Sequence, residues 1–229
     1  MGKFTAILWD LDQTILDFNK SRDYALPYTF HEMGLEINAE QTALYLEIND
    51  SYWKRLERGE ITKDEVHYGR FRTLFEKLGI TGKSPEKMEE IYQDALSSVV
   101  FFRDNADEII ARLKELGFRQ YVITNGFYKT ASRKMSLSGL DKLMDGVFVS
   151  EVIGVPKPQK EYFDACFAQM DGITRKECLL VGDSLTSDMQ GGINAGIATC
   201  WYNPTGLSNT PGLAIDYEIQ NLQELFSIL

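Results

Sequence analysis

From residue 99 onward the chain repeats one grammar: a short apolar stretch of strand length, a polar turn, then an amphipathic helical stretch. The apolar pieces are residues 121–124, 147–149, 178–181 and 197–201, and residues 4–9 near the N-terminus are of the same kind. Near-continuous apolar runs of this length suit strands covered on both faces, which is the condition of a parallel sheet. Residues 106–116 carry apolar side chains at 106, 109, 110, 113 and 116, and Gly117 follows as a stop. Further helices are expected over 128–137, 160–170 and 186–195. The alternation predicts an α/β fold, a doubly wound and mainly parallel sheet with right-handed crossovers.

Residues 17–98 break that grammar. Leu44, Ile48, Tyr52 and Leu56 fall at helical spacing. Thr62-Lys63-Asp64-Glu65 reads as a capping box that opens a helix ending near Gly79. Ser84-Pro85 reads as an N-cap with proline in the first helical position. Pro27 lies inside a helical pattern and is expected to kink or divide the first helix. With no strand candidate of comparable strength, 17–98 reads as an all-helical insertion into a core made of 1–16 and 99–229.

A chain of 229 residues buries enough surface to fold without disulfides or a structural metal. Its 44% hydrophobic and 25% charged content argues against disorder. A net charge of −10 repels phosphate backbones, so no nucleic-acid polymer is expected as a partner, although a small anion needs only a local positive site. Cys166, Cys178 and Cys200 are odd in number and dispersed among apolar neighbours, as reduced thiols of a cytoplasmic protein would be. The two histidines, His31 and His67, have no metal-ligand spacing with a cysteine, so neither a zinc site nor a Ser-His-Asp triad assembles readily. No signal peptide is expected at the start, and no apolar run approaches the roughly 18 residues of a spanning helix. The chemistry must therefore rest on carboxylates, lysines and hydroxyls. Monomer and homodimer both stay open.

Ligands of open α/β sheets bind beyond the carboxyl ends of the strands. Asp10 and Asp12 follow the first strand, Thr124-Asn125-Gly126 end the second, Lys157 stands between two prolines beyond the third, and Asp183 and Asp188 follow the fourth. Carboxylates gathered at one edge repel unless a hard cation joins them, and Asp10 and Asp183, with a main-chain carbonyl and waters, suit octahedral Mg²⁺. Lys157, the Thr124 hydroxyl and nearby backbone N–H groups would complete an anion site around a phosphoryl group. One carboxylate can act as nucleophile and form an aspartyl-phosphate. A second, two residues away, can protonate the leaving oxygen and then deprotonate the attacking water.

Asp10-Leu-Asp12-Gln-Thr14, Thr124, Lys157 and Gly182-Asp183-Ser-Leu-Thr-Ser-Asp188 resemble the four ordered motifs of haloacid-dehalogenase-superfamily phosphatases. The resemblance spans the core, which it implies to be Rossmann-like, and the helical insertion resembles that superfamily's C1-type cap. It implies that Asp10 is the nucleophile and Asp12 the general acid/base. It also implies that Mg²⁺ is held by the Asp10 and Asp183 carboxylates and the Asp12 carbonyl, with Asp188 behind the metal. Thr124, Asn125 and Lys157 would bind phosphate, and Lys157 would restrain Asp10. The dehalogenase branch lacks a carboxylate at the Asp12 position, so phosphoester hydrolysis is favoured over carbon–halogen cleavage. Ile123-Thr-Asn-Gly126, Val149-Ser-Glu-Val-Ile-Gly154 and residues 191–201 are similar to the bacterial pyrimidine 5′-nucleotidase subgroup. The expected substrate is therefore a small phosphorylated metabolite, a pyrimidine nucleoside monophosphate.

Each of these residues also has a plainer reading. An Asp-x-Asp after a strand is a common turn device, a lysine is ordinarily solvated, and Asp188 suits the first turn of any helix. Their joint occurrence at four strand ends is what favours a site. Rival functions are a phosphatase of a sugar phosphate or phosphoglycolate, a phosphomutase using the same intermediate, and a non-catalytic switch phosphorylated on Asp10.

Overall fold

The computed structural model describes residues 4–229. The chain divides into two compact units: the chain through Phe18 together with Val100–Leu229, and Asn19–Val99.

β1 (Ala6–Asp10) opens the first unit, and all five of its residues are buried. The chain then builds the helical unit from α1 (Phe18–Glu32), α2 (Ala39–Glu57), α3 (Lys63–Leu78) and α4 (Pro85–Leu96). The start signals act where their chemistry places them. The Thr62 hydroxyl accepts the Glu65 N–H while the Glu65 carboxylate accepts the Thr62 N–H, and Gly79 ends α3 in the left-handed conformation. Ser84 caps α4 ahead of Pro85. Asn38 and Gln41 form a further capping box on α2. Pro27 does not divide α1, which continues through it to Glu32. The interior of this unit holds Tyr45, Phe71 and Tyr92 in mutual ring contact, beside a buried Arg70–Glu89 ion pair of 2.5 Å.

The remainder of the first unit comprises α5 (Ala106–Glu115), β2 (Arg119–Thr124), α6 (Tyr128–Ser138), β3 (Gly146–Val149), α7 (Ser150–Ile153), α8 (Lys160–Phe167), β4 (Cys178–Gly182), α9 (Gln190–Ala195), β5 (Ala198–Tyr202), β6 (Tyr217–Ile219) and α10 (Leu225–Ile228). The strands form one sheet in the order β3-β2-β1-β4-β5-β6. Every pairing in it is parallel, so the expected mainly parallel sheet is wholly so. Alternation along the strands sends Ile7, Trp9, Val122, Leu179 and Val181 into one apolar cluster with α5 and α10. The intervening Ala6, Leu8, Tyr121, Ile123, Cys178 and Leu180 enter a second cluster with α8. The sheet is thus covered on both faces, which is why its strands read as unbroken apolar runs.

Further elements differ from the sequence expectation. α8 stops at Phe167 rather than near 170. The segment expected as one helix over 186–195 begins instead with a wide π turn, Leu185–Met189. β6 and α10 were not anticipated, because three and four residues are too few to display a period. All three cysteines are free and buried, and burial pushes each thiol up to about 12, where it is unreactive. Among the described residues no helix is long and apolar enough to cross a membrane.

Candidate active site

Sheet register brings the strand ends level. Asp10 pairs with Ile123, the residue before Thr124, and Trp9 pairs with Val181, so Asp10 stands beside Gly182. Beyond Asp10 the chain makes a tight turn. The Leu11 carbonyl accepts the N–H groups of Ile15 and Leu16, and Gln13 N–H donates to the Leu16 carbonyl (2.7 Å) from a left-handed conformation at φ 71°.

Lys157 is buried, and its ammonium donates to Asp10 Oδ1 (2.7 Å), Asp188 Oδ1 (2.7 Å) and the Ile123 carbonyl (3.0 Å). All three of its N–H groups are thus used. Asn125 fixes the backbone on which Lys157 stands: its Oδ1 accepts the Lys157 N–H (2.9 Å) and its Nδ2 donates to the Lys157 carbonyl (3.0 Å). The Asn125 side chain is therefore engaged with the Lys157 backbone. The buried Thr124 hydroxyl accepts the Gly126 N–H (2.9 Å).

The π turn positions Asp188. The Ser184 hydroxyl accepts the Ser187 N–H (3.1 Å), and Asp188 Oδ2 accepts the Ser184 N–H (3.1 Å). A Cβ on Gly182 would lie 2.4 Å from Asp188 Cγ, so only glycine lets this carboxylate approach β4. The Trp201 indole N–H holds the Asp183 carbonyl (2.8 Å), while the Asp183 carboxylate takes no hydrogen bond from another residue.

Carboxylate oxygens of Asp10, Asp183 and Asp188 lie within 4.8 Å of one another. Burial pushes Asp10 up to about 7 against the pull of Lys157, with Asp188 adding repulsion. Burial likewise raises Asp183 well above the ordinary carboxylate range, reinforced by Asp10 and Asp188. Lys157 is held protonated, because the two carboxylates outweigh its own desolvation. One ammonium among three carboxylates leaves surplus negative charge on hard oxygen donors, and this set fits a divalent cation that prefers oxygen. Among the described residues, Asp10 and Asp183 each keep an oxygen without a donor from another residue, whereas both Asp188 oxygens are already bonded.

Asp12 stands apart from this cluster. Its Oδ1 accepts a 2.7 Å bond from Lys134, a lysine of α6 whose side chain is 1% exposed. Sequence reading missed Lys134. Its only signal there is position, on the stripe with Thr130, Ala131 and Met135 that α6 buries.

A family model described as haloacid dehalogenase-like hydrolase matches residues 4–196. The HAD-hydrolase YfnB of Bacillus subtilis (strain 168) is 35% identical over 229 residues, covering 100% of this chain and 97% of that protein. A crystal structure of YfnB bound to magnesium superposes with a TM-score of 0.91 over 99% of each chain. The pyrimidine 5′-nucleotidase PynA of Streptococcus pneumoniae (strain ATCC BAA-255 / R6) is 34% identical, covering 97% of this chain and 94% of its own length. The pyrimidine 5′-nucleotidase YjjG of Escherichia coli (strain K12) is 30% identical, covering 99% and 98%.

Proposed function

Because the chain belongs to the haloacid dehalogenase-like hydrolase family, we propose that it is a Mg²⁺-dependent phosphatase of pyrimidine nucleoside 5′-monophosphates, working through an aspartyl-phosphate. The observation that carries this chemistry is the pair Asp10 and Asp12 in contrasting settings: Asp10 buried and pinned by Lys157, Asp12 two residues on and partly open to solvent. Asp10 is the nucleophile, and its attack forms an oxygen–phosphorus bond as the ester bond breaks. Asp12 gives its proton to the departing 5′-oxygen. Asp12 then takes a proton from water as the water oxygen bonds phosphorus, and the Asp10–phosphorus bond breaks to free inorganic phosphate.

Lys157 holds Asp10 in place and offsets charge on the transferring group, and Asn125 keeps Lys157 in register. Thr124 and its turn amides serve the phosphoryl oxygens. The residues that would hold Mg²⁺ are Asp10, Asp183 and the Asp12 carbonyl, with Asp188 orienting from behind, as its two engaged oxygens favour. When bound, the ion supplies Lewis-acid stabilisation of phosphoryl charge. The magnesium in YfnB supports the identity of the metal. The helical unit Asn19–Val99 is assigned the role of a cap that selects substrate.

PynA and YjjG support the substrate class. A phosphate-release screen with Mg²⁺ over nucleoside monophosphates, sugar phosphates and phosphoglycolate tests it. Pyrimidine 5′-monophosphates are expected to give the highest kcat/KM, with Asp10→Asn folded and inactive. Preference for a sugar phosphate would overturn the substrate, a relocated phosphate would indicate a mutase, and stable phosphorylation without turnover a switch.

A further inference from the structure

The Lys134–Asp12 pair is an unusual use of a lysine. Lys134 is 1% exposed, and among the described residues its ammonium has one hydrogen-bonding partner, Asp12 Oδ1 at 2.7 Å, with the Phe18 ring centroid 5.3 Å away. A buried ammonium with a single acceptor is a poor stability device, since its desolvation consumes most of what the pair returns. Asp12 does not need the lysine for solvation, because its side chain is 30% exposed. The contact does something more specific. An ammonium only donates, so Oδ1 is committed as an acceptor and a proton carried by Asp12 must reside on Oδ2. A Cβ built on Gly126 would lie 3.7 Å from Oδ2 and 3.1 Å from Thr124 Oγ1, which puts Oδ2 on the side of the Thr124–Gly126 turn.

We propose that Lys134 is a positioning residue for proton transfer: it ties down one oxygen of Asp12 and presents the other, Oδ2, to the leaving group. This rests on Asp12 being the general acid/base of the proposed reaction. In the first step the Oδ2 proton passes to the ester oxygen as its bond to phosphorus breaks. In the second, a water proton returns to Oδ2 as the water oxygen bonds phosphorus.

Leaving-group dependence tests the role. The ratio kcat/KM ends at the first irreversible step, aspartyl phosphorylation, and a poor alkoxide leaving group needs the proton far more than 4-nitrophenoxide does. Full-length wild type, Lys134→Met, Lys134→Arg and Asp12→Asn are compared with Mg²⁺ on a nucleoside 5′-monophosphate and on 4-nitrophenyl phosphate, with melting midpoints alongside. In Lys134→Met the nucleotide kcat/KM is expected to fall on the order of 10²-fold, the cost of an acid misplaced by about 1 Å. The aryl-to-nucleotide ratio should rise about tenfold or more, within the range general acid catalysis supplies. Lys134→Arg should restore much of the loss, and the melting midpoints should stay close. Equal loss on both substrates, or none, while Asp12→Asn shows a strong leaving-group dependence, would overturn the role of Lys134 alone. An Asp12→Asn variant without leaving-group dependence would remove the acid/base reading on which it rests.

Discussion

At the scale of single residues, the site is organised by which acceptors two lysines have available. Lys157 gives its three N–H groups to Asp10, Asp188 and the Ile123 carbonyl, so its place is set by the protein itself. Gly182 makes part of that arrangement sterically feasible. Gly182→Ala should drive its new Cβ into the Asp188 carboxylate, otherwise 2.4 Å away, and loosen the Lys157 anchor. Overpacking of this kind costs about 1–3 kcal/mol, and a misplaced anchor should cost on the order of 10² in turnover. Wild-type kinetics and melting in that variant would count against the geometry. The placement of Asp10, Asp12, Thr124, Lys157, Asp183 and Asp188 at one sheet edge was legible because each lies at or beyond the end of a recognisable strand. Lys134 was not, since beside Arg133 on a polar-looking helix it reads as an ordinary surface lysine until packing buries it.

At the scale of elements, local chemistry was most readable where it closes within four residues. The Thr62–Glu65 box is an example, and Thr62→Ala should destabilise the helical unit by about 1 kcal/mol in urea unfolding. The same box has a pH signature. Hydrogen bonds from the Thr62 N–H, then from its hydroxyl, hold Glu65 below the ordinary glutamate value of 4.5. A carboxylate lowered on folding stabilises above its unfolded value, and that contribution disappears as pH falls through the lower folded value. The melting advantage of wild type over Glu65→Ala should therefore shrink as pH drops below about 4.5, and a pH-independent gap would contradict this. Elements that depend on distant partners were less readable. β6 extends the sheet through pairing with β5, a contact that three residues cannot announce. In the π turn at Leu185–Met189 the Ser184 carbonyl accepts the Met189 N–H (3.0 Å) while Asp188 Oδ2 accepts the Ser184 N–H, pairings that no helical period in the sequence announces.

At the scale of the whole molecule, a chain of net charge −10 gathers the carboxylates of Asp10, Asp183 and Asp188 at one sheet edge, a donor set that fits a divalent cation. Removing divalent metal should stop hydrolysis. A ligand that binds only the folded state stabilises it by about 2.7 kcal/mol at a hundredfold excess over Kd. Mg²⁺ should therefore raise the melting midpoint of wild type but not of Asp183→Asn, and the same rise in both would argue against that carboxylate as a ligand. The amino-acid sequence alone determined the parallel α/β core, the helical insertion and the order in which the candidate site residues meet the strand ends. These follow from local apolar period, capping chemistry and the rule that a strand delivers its next residue to the sheet edge. Only the tertiary structure decided how the charges are shared: Lys157 with Asp10 and Asp188, Lys134 with Asp12, Asn125 with the Lys157 backbone, and, among the described residues, no donor to Asp183 from any other residue. Those pairings join residues far apart in the chain. Their partners are set by burial and sheet register, which no local stretch of sequence contains.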